Sequence, residues 1–413
     1  MNLKSILKIL SYSNFGNLFS FLYLIFISNY LLTNDFSLIT SITSLAIGIA
    51  YIFSFFVPVI SNIVSKNKKK NIWGFYINST KILFYLFILS FLFIFLTKEI
   101  FYIFFKFQDL KILFFFPIII FSNILLYIQI GLLSGLSLFK FQSKIISIQQ
   151  FLKLTLMIIL LLFLYNNLFP LIATTISMIV TILIFHKKIH QYLNKDKNLK
   201  KNKNQKILNS TQILKAIIIT ITSAVLIYSD IVISRYVFDY NISSEFNIMS
   251  SLSKINYYFL FALIPTIIPI INLTKNSKDK NKYIKKIFII LFSTLCITNL
   301  IYYNFSEVIF NSVFNMNISN IQNMIKINTS SIIYTGSIIL LYISYTARHN
   351  KTLYFLSLLM IIYLYILFQQ TNMILFIDII LYLNILFFLV LLLKYLFLKS
   401  LVKFNQNFIK IFF

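Results

Sequence analysis

The charged and amide side chains between positions 228 and 258 are the clearest candidates for chemistry, because they interrupt long runs of Phe, Ile and Leu. Asp230 and Arg235 lie near the end of one apolar segment. The next segment carries polar residues spaced i, i+3, i+4, i+7 and i+11, namely Asn247, Ser250, Ser251, Lys254 and Tyr258. This spacing places them on one stripe of a helix. Polar groups are unfavourable in hydrocarbon, so the stripe is expected to line a hydrophilic cavity.

Composition defines the class of protein in which these residues sit. The chain has 413 residues, is 59% hydrophobic and has a mean hydropathy of +0.87, which indicates an all-α polytopic membrane protein rather than a soluble enzyme. The net charge of +27 comes from lysines in short turns, so we expect no nucleic-acid partner. Cys296 is the single cysteine, which excludes a disulfide framework.

About twelve apolar segments have the length that a bilayer core requires. They span 6–28, 37–64, 77–97, 112–134, 145–165, 168–185, 213–235, 247–271, 284–303, 325–347, 352–369 and 373–393. The lysine runs fall at alternate turns, which predicts a cytoplasmic (inner) membrane protein with both termini in the cytoplasm. We therefore predict a six-helix bundle over 1–185, a basic cytoplasmic linker over 186–212, and a second six-helix bundle with a short cytoplasmic tail over 213–413.

The two halves resemble each other as repeats. At a shift of 210 residues, NIVSKNKKK at Asn62–Lys70 falls on NLTKNSKDK at Asn272–Lys280. On the same shift the polar residues of segment 2, from Ser37 to Ser44, fall on those of segment 8, from Asn247 to Lys254. Both halves begin on the same side of the membrane, so the pattern predicts parallel repeats related by an axis along the membrane normal.

Polar residues concentrate in segments 1, 2, 7 and 8, which predicts a substrate path between the halves. Candidate cavity residues are Asn14, Asn17, Ser41, Ser44, Asp230, Arg235, Ser251, Lys254 and Tyr258. Segments 3, 5, 6, 11 and 12 are almost wholly apolar, which is typical of lipid-facing helices. Alternatively, the hydroxyl groups only hold neighbouring helices together.

Asp230 and Lys254 lie at similar depth in adjacent segments, which predicts a salt bridge. Two interpretations stay open. The bridge only fixes the hairpin of segments 7 and 8, or Arg235 and Lys254 attract an anionic headgroup while Asp230 responds to protons or a coupling cation. Pro58, Pro265 and Pro269 predict either helix bends that serve as gating hinges or simple helix breaks. No metal-ligand spacing occurs, so we expect neither a metal nor a cofactor.

Three stretches resemble polysaccharide-export flippases of the MOP superfamily, of the Wzx type that acts on O-antigen and capsule repeat units. They are NYLLTNDFSLITSITSL, Gln129–Leu164 and Tyr228–Ile255. The resemblance implies a MATE/MOP-like pair of bundles around a V-shaped cavity lined by helices 1, 2, 7 and 8. It also implies alternating access for an undecaprenyl-diphosphate-linked oligosaccharide, held in a cationic cavity. This chain departs from the pattern by having few arginines and little membrane-embedded charge in its first half.

Two alternative functions remain at this point. One is a multidrug or lipid II exporter of the same superfamily, and the other is a membrane glycosyltransferase or polymerase. No phosphate-binding loop, metal-ligand spacing or nucleophile elbow is present, so we expect no enzyme. The expected partners are the undecaprenyl-diphosphate-linked glycan and membrane lipids. The protein is expected to be a monomer, with association with polysaccharide assembly proteins left open.

Overall fold

The twelve apolar segments are helical wherever the chain is described. The computed structural model describes residues 3–66, 72–106, 110–163, 166–194, 210–261, 277–314, 321–345 and 351–412. Within them, each predicted segment coincides with a helix, and nine helices are long and apolar enough to cross a membrane. The predicted fold class, a polytopic all-α membrane protein, is confirmed.

The first half contains eight helices. They are α1 (Leu3–Tyr30), α2 (Thr33–Ile52), α3 (Phe56–Lys66), α4 (Ile72–Leu96), α5 (Lys98–Phe105), α6 (Leu110–Gly135), α7 (Phe139–Phe163) and α8 (Phe169–Asn194). The short helix α5 was not predicted. Helix α8 continues to Asn194, so the chain stays helical beyond the predicted start of the linker at 186. Residues 195–209 of that linker lie outside the described residues.

The described residues of the second half form six α-helices. They are α9 (Ser210–Val237), α10 (Tyr240–Phe261), α11 (Ser277–Val308), α12 (Ile321–Tyr345), α13 (Lys351–Phe368) and α14 (Met373–Phe412). A π-helical turn, Ile309–Val313, extends α11. The division of the chain into two bundles stays a prediction.

Pro58 interrupts the second predicted segment. A proline has no N–H to donate to the carbonyl four residues earlier, so the backbone before it must change its hydrogen bonding. A 3₁₀ turn, Phe53–Phe55, separates α2 from α3 just before Pro58, as this loss requires. The structure shows a break between two α-helices just before Pro58, whereas a bend at Pro58 stays a prediction. Pro265 and Pro269 lie outside the described residues.

The helices pack in two groups that meet along α2. In the first half α7 packs between α1 and α8, and α6 packs against α3, α4 and α8. In the second half α12 packs against α9, α10, α11 and α14. Between the groups, α2 contacts α9 and α10, and α1 contacts α10. We call the end at which α3, α6 and α8 terminate the basic end, because the lysine-rich turns follow there, and the other end the opposite end.

Two glycines allow α6 to lie close to α3. A Cβ at Gly131 would lie 3.1 Å from Ile60 Cβ, and a Cβ at Gly135 would lie 2.5 Å from Val64 Cβ. Small residues four apart permit this kind of approach between membrane helices. The close contact fixes α3, whose Pro58 and Ser61 line the cavity described below.

We expect Gly135→Ala to destabilise the protein by about 1–3 kcal/mol, because its methyl group meets a Cβ attached to the α3 backbone. Gly336→Ala is the matched control, since its methyl group meets the movable ring tip of Phe388 at 2.9 Å. Thermal unfolding of the detergent-purified variants measures both effects. Equal melting temperatures for the two variants would contradict the expectation.

Candidate functional site

A cavity of about 390 Å³ opens between the helices of the first half and the facing surface of the second half. Its wall runs from Ser61 and Phe139 near the basic end to Tyr23 and Thr174 towards the opposite end. Most lining residues belong to α1, α2, α6, α7 and α8. The second half contributes Tyr228, Ser251, Ile255, Tyr257, Tyr258 and Tyr342. The cavity therefore lies mainly on the side of the first half.

The wall is rich in neutral polar groups. Its hydroxyl and amide side chains, apart from the tyrosines, are Asn17, Ser20, Thr40, Thr43, Ser44, Ser54, Ser61, Asn123, Gln142, Ser143, Gln149, Gln150, Thr174, Ser177 and Ser251. Asn17 Nδ2 and Ser54 Oγ are buried and have no hydrogen-bond partner. Leaving such buried polar atoms unpaired is unfavourable.

Lys153 is the one charged residue among the described lining residues. Its Nζ lies 3.7 Å from the ring centroid of Tyr23, in a cation–π contact. Tyr23 Oη donates a hydrogen bond of 3.0 Å to Pro170 O, which holds the ring in place. No described carboxylate forms an ion pair with Lys153, so its charge remains available to an anion.

Sequence reasoning missed Lys153, because the fifth segment was interpreted as lipid-facing. That interpretation was incomplete for segments 5 and 6, since α7 and α8 expose apolar residues such as Leu162 and Leu183 on one face and line the cavity with another. A signal was present in the sequence: Gln142, Ser143, Gln149, Gln150 and Lys153 recur at i, i+1, i+7, i+8 and i+11, which is one face of a helix. The apolar majority of the segment concealed this narrow polar stripe.

Four of the predicted cavity residues line the cavity, namely Asn17, Ser44, Ser251 and Tyr258. Ser41, Asp230, Arg235 and Lys254 do not line it, and the side chain of Asn14 lies outside the described residues. The predicted stripe on α10 is therefore divided. Ser251 and Tyr258 face the cavity, whereas Asn247, Ser250 and Lys254 are buried against protein.

Asp230 and Lys254 form the predicted salt bridge. Lys254 Nζ lies 2.8 Å from Asp230 Oδ1, and Ser250 Oγ donates a 2.5 Å hydrogen bond to Oδ2. The two side chains are only 3% and 10% exposed. Asp230 neutralises Lys254 at this distance, so Lys254 differs from Lys153 in having no charge left for a substrate.

Arg235 belongs to a polar cluster at the opposite end, which we call the clamp. Its members are Asn34, Ser37, Thr40 and Ser41 from α2, and Arg235, Ser243 and Asn247 from α9 and α10. Arg235 Nη2 donates to Asn34 Oδ1 at 2.7 Å, and Nε donates to Phe105 O at 3.2 Å. Ser37 Oγ donates to Ser243 Oγ at 2.9 Å. These bonds join the two halves and leave Arg235 2% exposed.

Asn247 extends the clamp towards the middle of the molecule. Its Nδ2 lies 3.4 Å from Ser37 O, 3.1 Å from Thr40 Oγ1 and 3.3 Å from Ser41 Oγ, each of which accepts a hydrogen bond. Ser37 and Asn247 are the residues that the shift of 210 pairs. If the predicted axis that relates the two halves runs between α2 and α10, it brings equivalent residues of these two helices into contact. An apolar cluster containing Phe36, Phe246 and Phe310 surrounds the clamp and closes this end.

No group of three or more His, Cys, Asp or Glu side chains within the described ranges is placed to hold a metal ion. The similarity of this chain to known proteins lies in its fold. No protein-family model matches the sequence, and no curated protein matches it.

Solved structures do match, over nearly the whole chain. An outward-facing multidrug resistance MATE family transporter of the MOP superfamily is 14% identical, covers 96% of each chain and has a TM-score of 0.64. An inward-facing conformation of a transporter so described is 13% identical, covers 95% of this chain and 96% of that one, and has a TM-score of 0.62. A mutant of a Vibrio cholerae MATE transporter is 14% identical, covers 97% of each chain and has a TM-score of 0.62. The fold is MATE/MOP-like.

We expect Asp230→Asn to destabilise the protein by about 3–5 kcal/mol, because it leaves the Lys254 ammonium buried without a counter-charge. The double variant Asp230→Asn/Lys254→Met should recover most of this loss. The Lys326–Asp378 pair is the control, since its side chains are 31% and 25% exposed and its loss should change stability by about 1 kcal/mol or less. A double-mutant cycle on unfolding free energies measures the coupling. Additive effects at Asp230 and Lys254 would show that the pair contributes no coupling.

Proposed function

We propose that this MATE-like fold serves as a transporter that moves an oligosaccharide linked through diphosphate to undecaprenol across the cytoplasmic membrane. The observation that carries the proposal is the composition of the cavity wall: many neutral amide and hydroxyl groups, one unpaired cation, and no carboxylate among the described lining residues. Sugar hydroxyls both donate and accept hydrogen bonds, which amides and hydroxyls can satisfy. A diphosphate is an anion, for which an ammonium group is a suitable partner.

The position of Lys153 supports an anion site at this point. Its stem lies in the membrane interior, where an ionised side chain is rare and usually functional. Lys254, in contrast, is neutralised by Asp230. The proposal therefore assigns substrate binding to Lys153, Asn17, Ser44, Ser251 and Tyr258. It assigns the coupling to protons or another cation, if any occurs, to the Asp230–Lys254 pair.

We propose that transport occurs by alternating access, which the difference between the two ends of the cavity supports. The wall extends to the basic end, which the distribution of lysines predicts to be cytoplasmic, while the clamp joins the halves at the opposite end. Opening the opposite end requires the α2–α9 and α2–α10 hydrogen bonds of the clamp to break. Substrate would enter from the cytoplasmic leaflet and leave after this rearrangement. We propose that a single copy of the chain suffices for this cycle.

A multidrug exporter is the second candidate, and it is favoured by the similarity of the fold to multidrug resistance MATE family transporters. Cationic drugs are attracted to aromatic faces and to carboxylates. Tyrosines are present in this cavity, but no described lining residue is acidic. A lipid II exporter would share the need for a phosphate site and differ in the saccharide. We propose no catalytic role.

We expect Lys153→Met to lower the amount of lipid-linked glycan that reaches the outer leaflet by roughly 10- to 100-fold. This factor corresponds to the free energy of one charge-assisted hydrogen bond, which the methionine cannot form. Lys153→Arg keeps the charge and should retain part of the transport. Lys98→Met is the matched control, because Lys98 also lies over an aromatic ring, that of Phe95 at 5.5 Å, and is outside the cavity. The assay is surface glycan in cells that lack the chromosomal copy. Wild-type glycan with well-expressed Lys153→Met would rule out the proposed anion site.

Locking the clamp should stop transport. In a Cys296→Ser background, Ser37→Cys and Ser243→Cys place two thiols where hydroxyl oxygens lie 2.9 Å apart, and oxidation should link the halves. Transport should fall on oxidation and return with a reductant. The control pair is Ser330→Cys/Asn384→Cys, which joins α12 to α14 within the second half. If the oxidised Ser37–Ser243 pair transports normally, the opposite end does not need to open.

A further inference from the structure

Six tyrosines face the cavity on one wall, where α2, α6, α9, α10 and α12 meet. We call them the tyrosine wall: Tyr51, Tyr127, Tyr228, Tyr257, Tyr258 and Tyr342. Neither the anion site at Lys153 nor the clamp uses them. Tyrosine combines an apolar face with a polar tip, so a group of six in one cavity can bind a ligand that has both kinds of surface.

Ring contacts fix the geometry of this wall. The centroid of Tyr51 lies 6.1 Å from that of Tyr127, in an edge-to-face contact, and 6.0 Å from that of Tyr228. The centroids of Tyr257 and Tyr258 are 5.4 Å apart. Tyr257 Oη donates to Tyr51 Oη at 3.2 Å, across the boundary between the two halves. The wall is therefore preorganised before any ligand binds.

Two of the six rings are accessible from the cavity. Tyr51, Tyr228, Tyr257 and Tyr342 are all buried, at 8% exposure or less. Tyr127 and Tyr258 are half-buried and pack against the apolar cluster to which these four buried tyrosines belong. The buried rings thus form a support, and Tyr127 and Tyr258 present their remaining surface to the cavity.

The tyrosine wall lies at a different depth from Lys153. Lys153 is ten residues, roughly 15 Å, from the end of α7 at the opposite end, counted at the helical rise per residue. Tyr127 and Tyr258 are seventeen and eighteen residues, roughly 26 Å, from the starts of α6 and α10 at that end. The two features are therefore separated by roughly 10 Å along the helix axes, a distance that a short saccharide chain can span.

We propose that Tyr127 and Tyr258 form a stacking site for a neutral pyranose ring of the substrate, separate from the anion site at Lys153. One face of a pyranose carries C–H groups, whose positive hydrogens are attracted to the negative face of an aromatic ring. The hydroxyl rim can form hydrogen bonds with the amides and hydroxyls of the cavity wall. This inference rests on the proposed function and adds an orientation: the diphosphate points towards the opposite end and the saccharide towards the basic end.

An aromatic wall can also bind an organic cation, which is the outcome that the exporter alternative predicts. The two ligands differ in charge and in the groups that hold them. A neutral sugar needs the rings and the surrounding hydrogen-bonding groups, whereas a cation is stabilised by the ring faces alone. The positive charge of Lys153 in the same cavity would repel a cation and would not repel a neutral sugar.

The test is saturation-transfer NMR on the full chain in lipid nanodiscs, with three probes: the neutral trisaccharide maltotriose, inorganic pyrophosphate and tetraphenylphosphonium. Wild-type protein should transfer saturation to the ring C–H protons of maltotriose, and pyrophosphate should not compete with it. Tyr127→Ala and Tyr258→Ala should each weaken maltotriose binding by about 3- to 10-fold, and the Phe variants should retain most of it because they keep the ring. Retained pyrophosphate binding, followed by ³¹P NMR, shows that each variant is folded.

Control variants separate the two sites. Tyr365→Ala removes a tyrosine that is 67% exposed on α13, outside the cavity, and should leave all three probes unaffected. Lys153→Met should lose pyrophosphate and keep maltotriose. In cells, the Tyr127→Ala and Tyr258→Ala variants should export less lipid-linked glycan, which distinguishes a lipid-linked saccharide from a free one.

The outcomes distinguish failure of this inference from failure of the proposed function. If maltotriose gives no signal, or binds equally to the Tyr→Ala variants, while Lys153→Met still abolishes glycan export, the stacking site is wrong and the transport proposal stands. If tetraphenylphosphonium binds at Tyr127 and Tyr258 in place of the sugar and glycan export does not depend on the chain, both are wrong. Binding of maltotriose that requires the two rings, together with lower glycan export, supports both.

Discussion

Hydrocarbon offers no partner to a polar group, so each polar side chain in a membrane helix must find its partner inside the protein or face water. This constraint organises the molecule. The described polar side chains discussed above gather at three places: the clamp at the opposite end, the buried Asp230–Lys254 pair, and the cavity wall. In the first two places the groups satisfy one another. In the third, Asn17 Nδ2 and Ser54 Oγ have no partner, and Lys153 has no carboxylate beside it.

The contrast between two lysines shows how this constraint leads to function. Lys254 is held 2.8 Å from a carboxylate, with a serine on the second carboxylate oxygen. Lys153 contacts the face of Tyr23 and has no described carboxylate within ion-pair distance. The neighbours of the two lysines therefore differ, and under the proposed function this difference assigns the anion site to Lys153 rather than to Lys254. The cavity lies mainly on the side of the first half.

Close packing supplies the rigid frame for these contacts. Gly131 and Gly135 allow α3 to pack closely against α6, and Pro58 and Ser61 of α3 line the cavity. A Cβ at Gly48 would lie 3.1 Å from Tyr228 Cβ, so α2 and α9 approach closely beside the tyrosine wall. In the proposed transport cycle, these packed surfaces keep their shape and the hydrogen bonds of the clamp change partners.

Some of this protein was determined by its sequence alone. The length and apolarity of the segments predict membrane helices, because a bilayer core needs an apolar stretch of that length. Pro58 predicts a break, because a proline has no N–H to donate. Asp230 and Lys254 lie at similar depths in adjacent segments, which predicts their pairing. Only the tertiary structure decided that Arg235 and Ser41 belong to the clamp, that Lys254 is neutralised, and that Lys153 faces the cavity. The physical reason is that a helix has several faces. The sequence shows which residues share a face, but the neighbouring helix and the partner atom of each residue are determined by the tertiary packing.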